Sequence, residues 1–146
     1  MSSLQKKDQV DRKDEKSCVF CGISRERIVN TVVSATGEVF YLIDSLFPVT
    51  ENGHLLIIPK LHLDTIIHFT PDDAIAIQLM IRVGIERLQE RSSKFTGFNI
   101  GWNLGKSAGQ TIEHVHCHII ARQDGDVEDP RGGIRNVIPK KGNYLK

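Results

Sequence analysis

Histidines alternate with apolar residues near the end of the chain, in the run His114-Val115-His116-Cys117-His118-Ile119-Ile120. Successive side chains of a β-strand point to opposite faces, so this spacing predicts a strand with its imidazoles gathered at one surface. The apolar residues between them would pack inward. A hydrophobic core does not need several imidazoles on one face, and the run therefore predicts a functional site.

A loop of small and flexible residues, 105–111, leads directly into the predicted histidine strand. Its backbone N–H groups are expected to turn together toward an anion such as a phosphate. A neighbouring imidazole is suited to attack on that phosphate or to proton transfer to it. The loop and the strand together predict chemistry on a phosphate group.

The length and the charge of the chain exclude several classes of protein. Its 146 residues predict a single domain, residues 17–146 including a C-terminal tail, after a mobile charged leader at residues 1–16. Lys plus Arg number 19 against 18 Asp plus Glu, so a net charge of +1 gives no reason to expect binding to nucleic acid or to an anionic membrane. No stretch approaches the roughly 18 apolar residues of a membrane span, and we expect a cytoplasmic protein.

Two of the three cysteines form a C-x-x-C pair, Cys18 and Cys21. So few cysteines fit a reduced compartment better than a disulfide framework. The pair predicts a metal or redox role, and two free thiols without a metal are the alternative.

Local patterns along the chain predict an α+β fold. A hairpin is expected from strands at 31–34 and 38–43, and a further strand at 96–102. The apolar run that ends at Pro59 predicts a central strand at 54–58, buried on both faces. Thr70 is a predicted N-cap before Pro71 and two aspartates, so a long helix should begin there and run to about Arg91. With a short helix or knuckle at 18–27, the order predicts an antiparallel sheet of about five strands with one long helix and one short helix.

Residues 108–120, Ala-Gly-Gln-Thr-Ile-Glu-His-Val-His-Cys-His-Ile-Ile, resemble the signature of the histidine triad (HIT) family. Residues 53–62 resemble the family's second block, and the C-x-x-C pair resembles that of many bacterial members. The resemblance extends over roughly residues 17–123. It implies the same antiparallel architecture and a homodimer in which two subunits form a continuous sheet.

The resemblance also assigns roles to individual residues. It implies that His116 is a nucleophile that forms a nucleotidyl-histidine, and that His118 contacts the same phosphate or the leaving oxygen. Ribose and phosphate contacts are implied for an acid and for amide, hydroxyl and backbone groups, namely Asp44, Asn103, Gly109, Gln110 and Thr111. The sequence departs from the family pattern at Pro48 and at residues 50–54, where extra residues alter the edge of the nucleoside pocket.

In zinc-containing relatives, two histidines complete the metal site that the cysteine pair begins. The matching positions here imply a structural zinc on Cys18, Cys21, His62 and His114, with every vertex of a tetrahedron filled by protein. Such a site would hold the N-terminal segment against the sheet. No organic cofactor is expected.

The leading hypothesis is a hydrolase of an adenosine-type phosphoanhydride or phosphoramidate, such as a dinucleoside polyphosphate. One alternative is a nucleotidyl transferase or phosphorylase, which passes the nucleotide to an acceptor other than water. The other is a zinc-stabilised nucleotide-binding module without catalysis. Arg131 and Arg135, beyond the histidines, are interpreted either as a phosphate clamp or as ordinary charge of the tail.

Overall fold

The computed structural model describes residues 16–145, so the predicted leader lies outside the described residues except for Lys16. Within this range the chain forms strands β1 to β5 and helix α1, joined by short 3-10 turns. In chain order these are β1 Ile28–Val33, β2 Val39–Asp44, β3 His54–Pro59, α1 Pro71–Arg91, β4 Gly97–Trp102 and β5 Cys117–Arg122. None of the helices in residues 16–145 is long and apolar enough to cross a membrane.

The five strands form one sheet in the order β1-β2-β3-β5-β4, with each neighbouring pair antiparallel. Strand β3 lies at the centre, and all six of its residues are buried. This confirms the predicted antiparallel α+β fold and the predicted central position of the apolar run. Burial on both faces explains why this strand has no alternation of apolar and polar residues.

Helix α1 begins where its capping residues predict. The Thr70 side chain accepts a hydrogen bond from the backbone N–H of Asp73, and the Asp73 carboxylate accepts one from the backbone N–H of Thr70. This reciprocal capping box satisfies two N–H groups that the first turn leaves without helical partners. Asp73 also accepts a hydrogen bond from Ser34, which ties the start of the helix to the β1–β2 hairpin.

The sheet separates two hydrophobic clusters. The larger one lies between the helix and the sheet. In it, Met80 and Leu88 of the helix pack against buried residues of the sheet, among them Leu42, Leu55 and Ile119. The smaller one lies on the opposite face and consists of Phe20, Ile43, Leu56 and Ile58. Segments outside the sheet, rather than the long helix, therefore cover the second face.

The predicted histidine strand is wrong at its start. Strand β5 begins only at Cys117, which pairs with Ile57, so residues 114–116 lie before the strand. The reason is that the backbone N–H of Val115 donates to the carbonyl of Leu63 and not to β3. Strand β1 also begins earlier than predicted, at Ile28, and the predicted short helix is a 3-10 turn at Arg25–Arg27.

Candidate functional site

Strand register determines which face of the sheet carries the histidines. Cys117 and Ile119 of β5 belong to the cluster beneath the helix, so His118 between them points to the other face. It lies opposite Leu56 in the pairing of β3 with β5. His54 is two residues before Leu56 and faces the same side. The two strands thus place His54 and His118 next to each other, away from helix α1.

The hydrogen bonds of His54 determine which nitrogen of its ring carries the proton. The backbone N–H of Val49 donates to His54 Nδ1 over 3.2 Å, so Nδ1 is an acceptor. The proton of the neutral ring is therefore on Nε2, which lies 2.9 Å from His118 Nδ1 and donates to it. His118 in turn must carry its own proton on Nε2.

His118 Nε2 is buried and has no hydrogen-bond partner among residues 16–145. Burial, together with the neighbouring His116 and His54, lowers the pKa of His118 to about 4. Burial and His116 also lower the pKa of His54. The pair is therefore neutral at pH 7, with one N–H donor for which the part of the chain that the structure describes supplies no acceptor.

His116 is oriented by its own backbone. Its Nδ1 lies 2.9 Å from the carbonyl oxygen of His114 and can only donate there, so in the neutral ring the lone pair is on Nε2. The side chain is 7% exposed, and its ring contacts the rings of Phe20 and His118 at centroid distances of 5.1 and 4.9 Å. These contacts hold the ring in one orientation, and in the neutral ring Nε2 is the nitrogen that can attack an electrophile.

Beside these rings lies a cluster of four metal-ligating side chains, Cys18, Cys21, His62 and His114, whose ligand atoms all lie within 4.8 Å of one another. His114 Nδ1 is 3.4 Å from Cys18 Sγ and 3.5 Å from Cys21 Sγ. His62 Nδ1 is 3.2 Å from Cys21 Sγ. The structure thus brings together all four residues that the sequence analysis assigned to one metal.

The environment of His114 fits metal binding. Its Nε2 donates to the carbonyl of Pro59 over 2.8 Å, so the lone pair is on Nδ1, the atom that faces the thiols. Burial is the main cause that lowers its pKa to about 4, which keeps this lone pair free at neutral pH. A ligand histidine whose second nitrogen donates to a carbonyl is the usual arrangement at protein metal sites. Two thiols and two imidazoles match a closed tetrahedral zinc site.

The third cysteine has a different environment. Cys117 is fully buried beneath the helix, and burial raises the pKa of its thiol to about 12. It remains a protonated thiol that packs in the core and takes no part in the cluster.

In the loop at 105–111, backbone N–H groups that were predicted to bind phosphate donate hydrogen bonds to carbonyl groups of the loop itself. The backbone N–H of Gly109 donates to Lys106, and that of Gln110 donates to Gly105. The Gln110 side chain accepts from the backbone of Gly105 and donates to the carbonyls of Asp64 and Ile112. Gln110 therefore fastens the loop, and its predicted phosphate contact remains a prediction.

The structure does not bring Asp44 into the histidine cluster. Asp44 pairs with Leu55, whose side chain belongs to the core beneath the helix, so the carboxylate lies on the helix side. There Arg91 of helix α1 donates to both of its oxygens, at 2.6 and 3.1 Å. Its assignment to ribose binding stays a prediction.

Asn103 and Thr111 lie nearer to the site. Asn103 follows β4 directly, two residues after Gly101, which pairs with His118. Thr111 lines a cavity of about 280 Å³ together with Cys18, His62 and other residues beside the cluster. Neither position tests the predicted phosphate contacts.

Sequence reasoning missed two residues of the site, His54 and Phe20. The signal for His54 was its position at the start of the central strand, an unusual place for a polar side chain. Phe20 lies between the two cysteines, and its 4% exposure shows that it points inward. No pattern in the sequence distinguished it from an ordinary core residue.

The fold and site define a protein with a buried histidine, His116, beside a cluster of four side chains that can hold a metal ion. Residues 25–125 match the family model described as the HIT domain, and the chain belongs to the HIT family. It is 34% identical over 121 residues to an uncharacterized HIT-like protein of Methanocaldococcus jannaschii, covering 82% of this chain and 91% of the relative. It is 31% identical to an adenosine 5'-monophosphoramidase of Candida albicans, covering 74% of this chain and 72% of that protein.

Among solved structures, a zinc-bound histidine triad family protein from Mycobacterium smegmatis is similar in fold. The TM-score is 0.61 with 30% sequence identity, and the match covers 77% of this chain and 79% of that chain. The five-stranded antiparallel sheet with one long helix is thus the architecture of the family.

Proposed function

We propose that this protein is a nucleotide hydrolase that acts on an adenosine-type phosphoanhydride or phosphoramidate through a nucleotidyl-histidine at His116. The observation that carries the proposal is the hydrogen bond from His116 Nδ1 to the carbonyl of His114, because it leaves the lone pair of Nε2 free for attack. The similarity to an adenosine 5'-monophosphoramidase supports the substrate class.

The proposed reaction has two displacement steps. First, His116 Nε2 attacks the α-phosphorus, and the bond from phosphorus to the leaving oxygen or nitrogen breaks while the N–P bond forms. The N–H of His118 Nε2, the donor that has no partner in the described chain, donates a hydrogen bond to the departing atom, which takes its proton from solvent water. Then a second water attacks the same phosphorus and releases its proton to solvent. This step breaks the N–P bond and releases the nucleoside monophosphate.

Other residues are proposed to bind the substrate. Asn103, Gly109, Gln110 and Thr111 would contact the phosphate and Asp44 the ribose, as the family resemblance implies. Asp44 would have to exchange its contact with Arg91 for the ribose hydroxyls, or reach both. One lost donor to a developing oxyanion typically costs on the order of 10²-fold in rate.

We also propose that the four-residue cluster holds a structural zinc ion. Cys18, Cys21, His62 and His114 supply four ligand atoms, which leaves no vertex for a reacting water. A bound metal would cross-link the N-terminal segment to the sheet. A homodimer, cytoplasmic location and the absence of an organic cofactor are carried forward from the family resemblance and the sequence.

Rapid quenching in alkaline detergent tests the proposal, because a phosphorus–nitrogen bond to histidine is stable in alkali and is hydrolysed in acid. Purified protein is mixed with α-labelled diadenosine tetraphosphate or α-labelled adenosine phosphoramidate, and wild type is compared with His116→Ala. Label trapped on wild type and absent from the variant is expected, with the two compounds ranked by rate. Turnover that survives in His116→Ala would refute the nucleophile assignment.

The same experiment separates the alternatives. Added inorganic phosphate that diverts the label from the monophosphate into a nucleoside diphosphate would show transfer to phosphate instead of hydrolysis. Nucleotide binding with neither trapped label nor product from either compound would favour a binding module.

A further inference from the structure

The C-x-x-C segment directs one aromatic side chain at the nucleophile. Phe20 lies between Cys18 and Cys21, whose thiols both face the ring of His114. Its neighbour Val19 is 53% exposed, whereas Phe20 is 4% exposed. The segment thus turns outward at Val19 and inward at Phe20, and residues of the cluster anchor it on both sides.

Phe20 contacts two of the histidines at once. Its ring meets that of His116 at a centroid distance of 5.1 Å with an interplanar angle of 62°, and that of His114 at 5.8 Å and 90°. Edge-to-face contacts of this kind restrict the orientation of both rings. A side chain that closes one side of His116 limits rotation of the imidazole away from its hydrogen bond.

His114 forms a second link between the cluster and the nucleophile. Its ring nitrogen Nδ1 faces the thiols, while its backbone carbonyl accepts the Nδ1 proton of His116 at 2.9 Å. Both groups that orient His116, the Phe20 ring and the His114 carbonyl, therefore belong to the cluster or to the segment that it anchors.

We infer that Phe20 is a positioning residue for His116, and that the Cys18, Cys21, His62 and His114 cluster controls the chemical step by anchoring Phe20 and His114. This inference rests on the proposed function of His116. It goes beyond a structural metal, because it predicts that the anchored segment changes the rate of attack as well as the stability of the fold.

The test compares Phe20→Leu with Phe40→Leu in the zinc-loaded protein. Phe40 is a matched control because it is fully buried but lies beneath the helix, where its ring contacts Phe69 at 5.6 Å. The readouts are bound zinc per chain, the melting temperature, the affinity for AMP, and the single-turnover rate of labelling by α-labelled adenosine phosphoramidate. Nitrogen-15 NMR reports whether Nδ1 of His116 carries the proton in each protein.

We expect Phe20→Leu to slow labelling by on the order of tenfold or more, as misplacement of a reacting group does, while zinc content and AMP affinity stay unchanged. The NMR spectrum should show both tautomers of His116. Phe40→Leu should lower the melting temperature at least as much yet keep the wild-type labelling rate and tautomer. Phe20→Tyr, which keeps the ring, should restore most of the rate.

Two results would overturn the inference. One is a wild-type labelling rate and His116 tautomer in Phe20→Leu, and the other is an equal loss of rate in Phe40→Leu. If Phe20→Leu loses its zinc, the labelling rate of zinc-loaded Phe20→Tyr is the deciding measurement. A slow rate in that variant, which keeps the ring, would contradict positioning by the ring. If wild type traps no label at all, the proposed function fails, and the NMR comparison still tests the positioning of His116.

Discussion

His54 Nε2 lies 2.9 Å from His118 Nδ1, although the two residues are 64 positions apart in the chain. Since the backbone N–H of Val49 donates to the other nitrogen of His54, the pair has one arrangement of protons. That arrangement presents the N–H of His118 Nε2 to the proposed leaving group. His54 therefore acts through His118, and its effect depends on how strongly a leaving group needs a hydrogen bond as it departs.

Replacing His54 by Ala should impair reactions with poor leaving groups most. Without His54, the His118 ring is free to move its proton to Nδ1, and Nε2 then no longer donates a hydrogen bond to the departing atom. The loss of one such donor typically costs on the order of 10²-fold. We expect a loss of that size with adenosine phosphoramidate, and a small loss with a nitrophenyl ester of AMP, whose leaving group is stable without a hydrogen bond. The ratio of the two single-turnover rates is the measurement. The matched control is His68→Ala, which removes a histidine outside both groups, and an equal loss on both substrates would contradict the role of His54.

The depressed pKa of His118 predicts how stability depends on pH. Its folded-state pKa of about 4 lies below the unfolded value of 6.5, so the folded state disfavours the protonated ring. Its contribution to stability is fully present above pH 6.5 and is lost as the pH falls toward 4. Urea unfolding between pH 8 and 4.5 should show a steeper loss for wild type than for His118→Gln. Parallel curves for the two proteins would contradict a neutral buried His118, and proton NMR titration measures its pKa directly.

Removal of one cluster ligand should release the metal. We expect Cys21→Ser to reduce bound zinc from about one per chain to a small fraction and to lower the melting temperature, because metal binding and folding are coupled. Cys117→Ala is the matched control, since it removes a buried thiol outside the cluster. It should keep its zinc. Equal zinc content in the two variants, measured by elemental analysis after dialysis, would exclude the proposed ligand set.

Helix α1 approaches the sheet so closely at Gly84 that an added methyl group should displace the end of the Ile119 side chain. A Cβ at this position would lie 2.5 Å from Ile119 Cδ1 and 3.5 Å from Leu42 Cδ1. Overpacking costs about 1–3 kcal/mol, which the better helix propensity of alanine, about 1 kcal/mol, offsets only in part. Gly84→Ala should therefore lower the free energy of unfolding by about 1 kcal/mol in urea titrations. The double variant with Ile119→Val, which removes the clashing methyl, should recover part of this loss. If it recovers none, the contact with Ile119 is not the cause of the loss.

Much of the fold follows from patterns that span only a few residues. The alternation of apolar residues around His118 places Cys117 and Ile119 in the core, and Thr70 with Asp73 begins the helix as predicted. Such patterns are readable because the strand period and the capping hydrogen bonds are local. The start of β5 was not readable in this way, since it depends on a hydrogen bond from Val115 to Leu63 across the fold.

The sequence by itself determined the kinds of chemical group that this protein can use: three alternating imidazoles, a C-x-x-C pair and a central apolar strand. Only the tertiary structure decided how they act. It placed the Cys18 thiol beside His114, 96 positions away in the chain. It also determined which nitrogens of His54 and His118 carry protons, and it paired Asp44 with Arg91. The physical reason is that a proton position or a ligand set depends on partners that packing supplies, whereas strand period and helix start depend on neighbours along the chain.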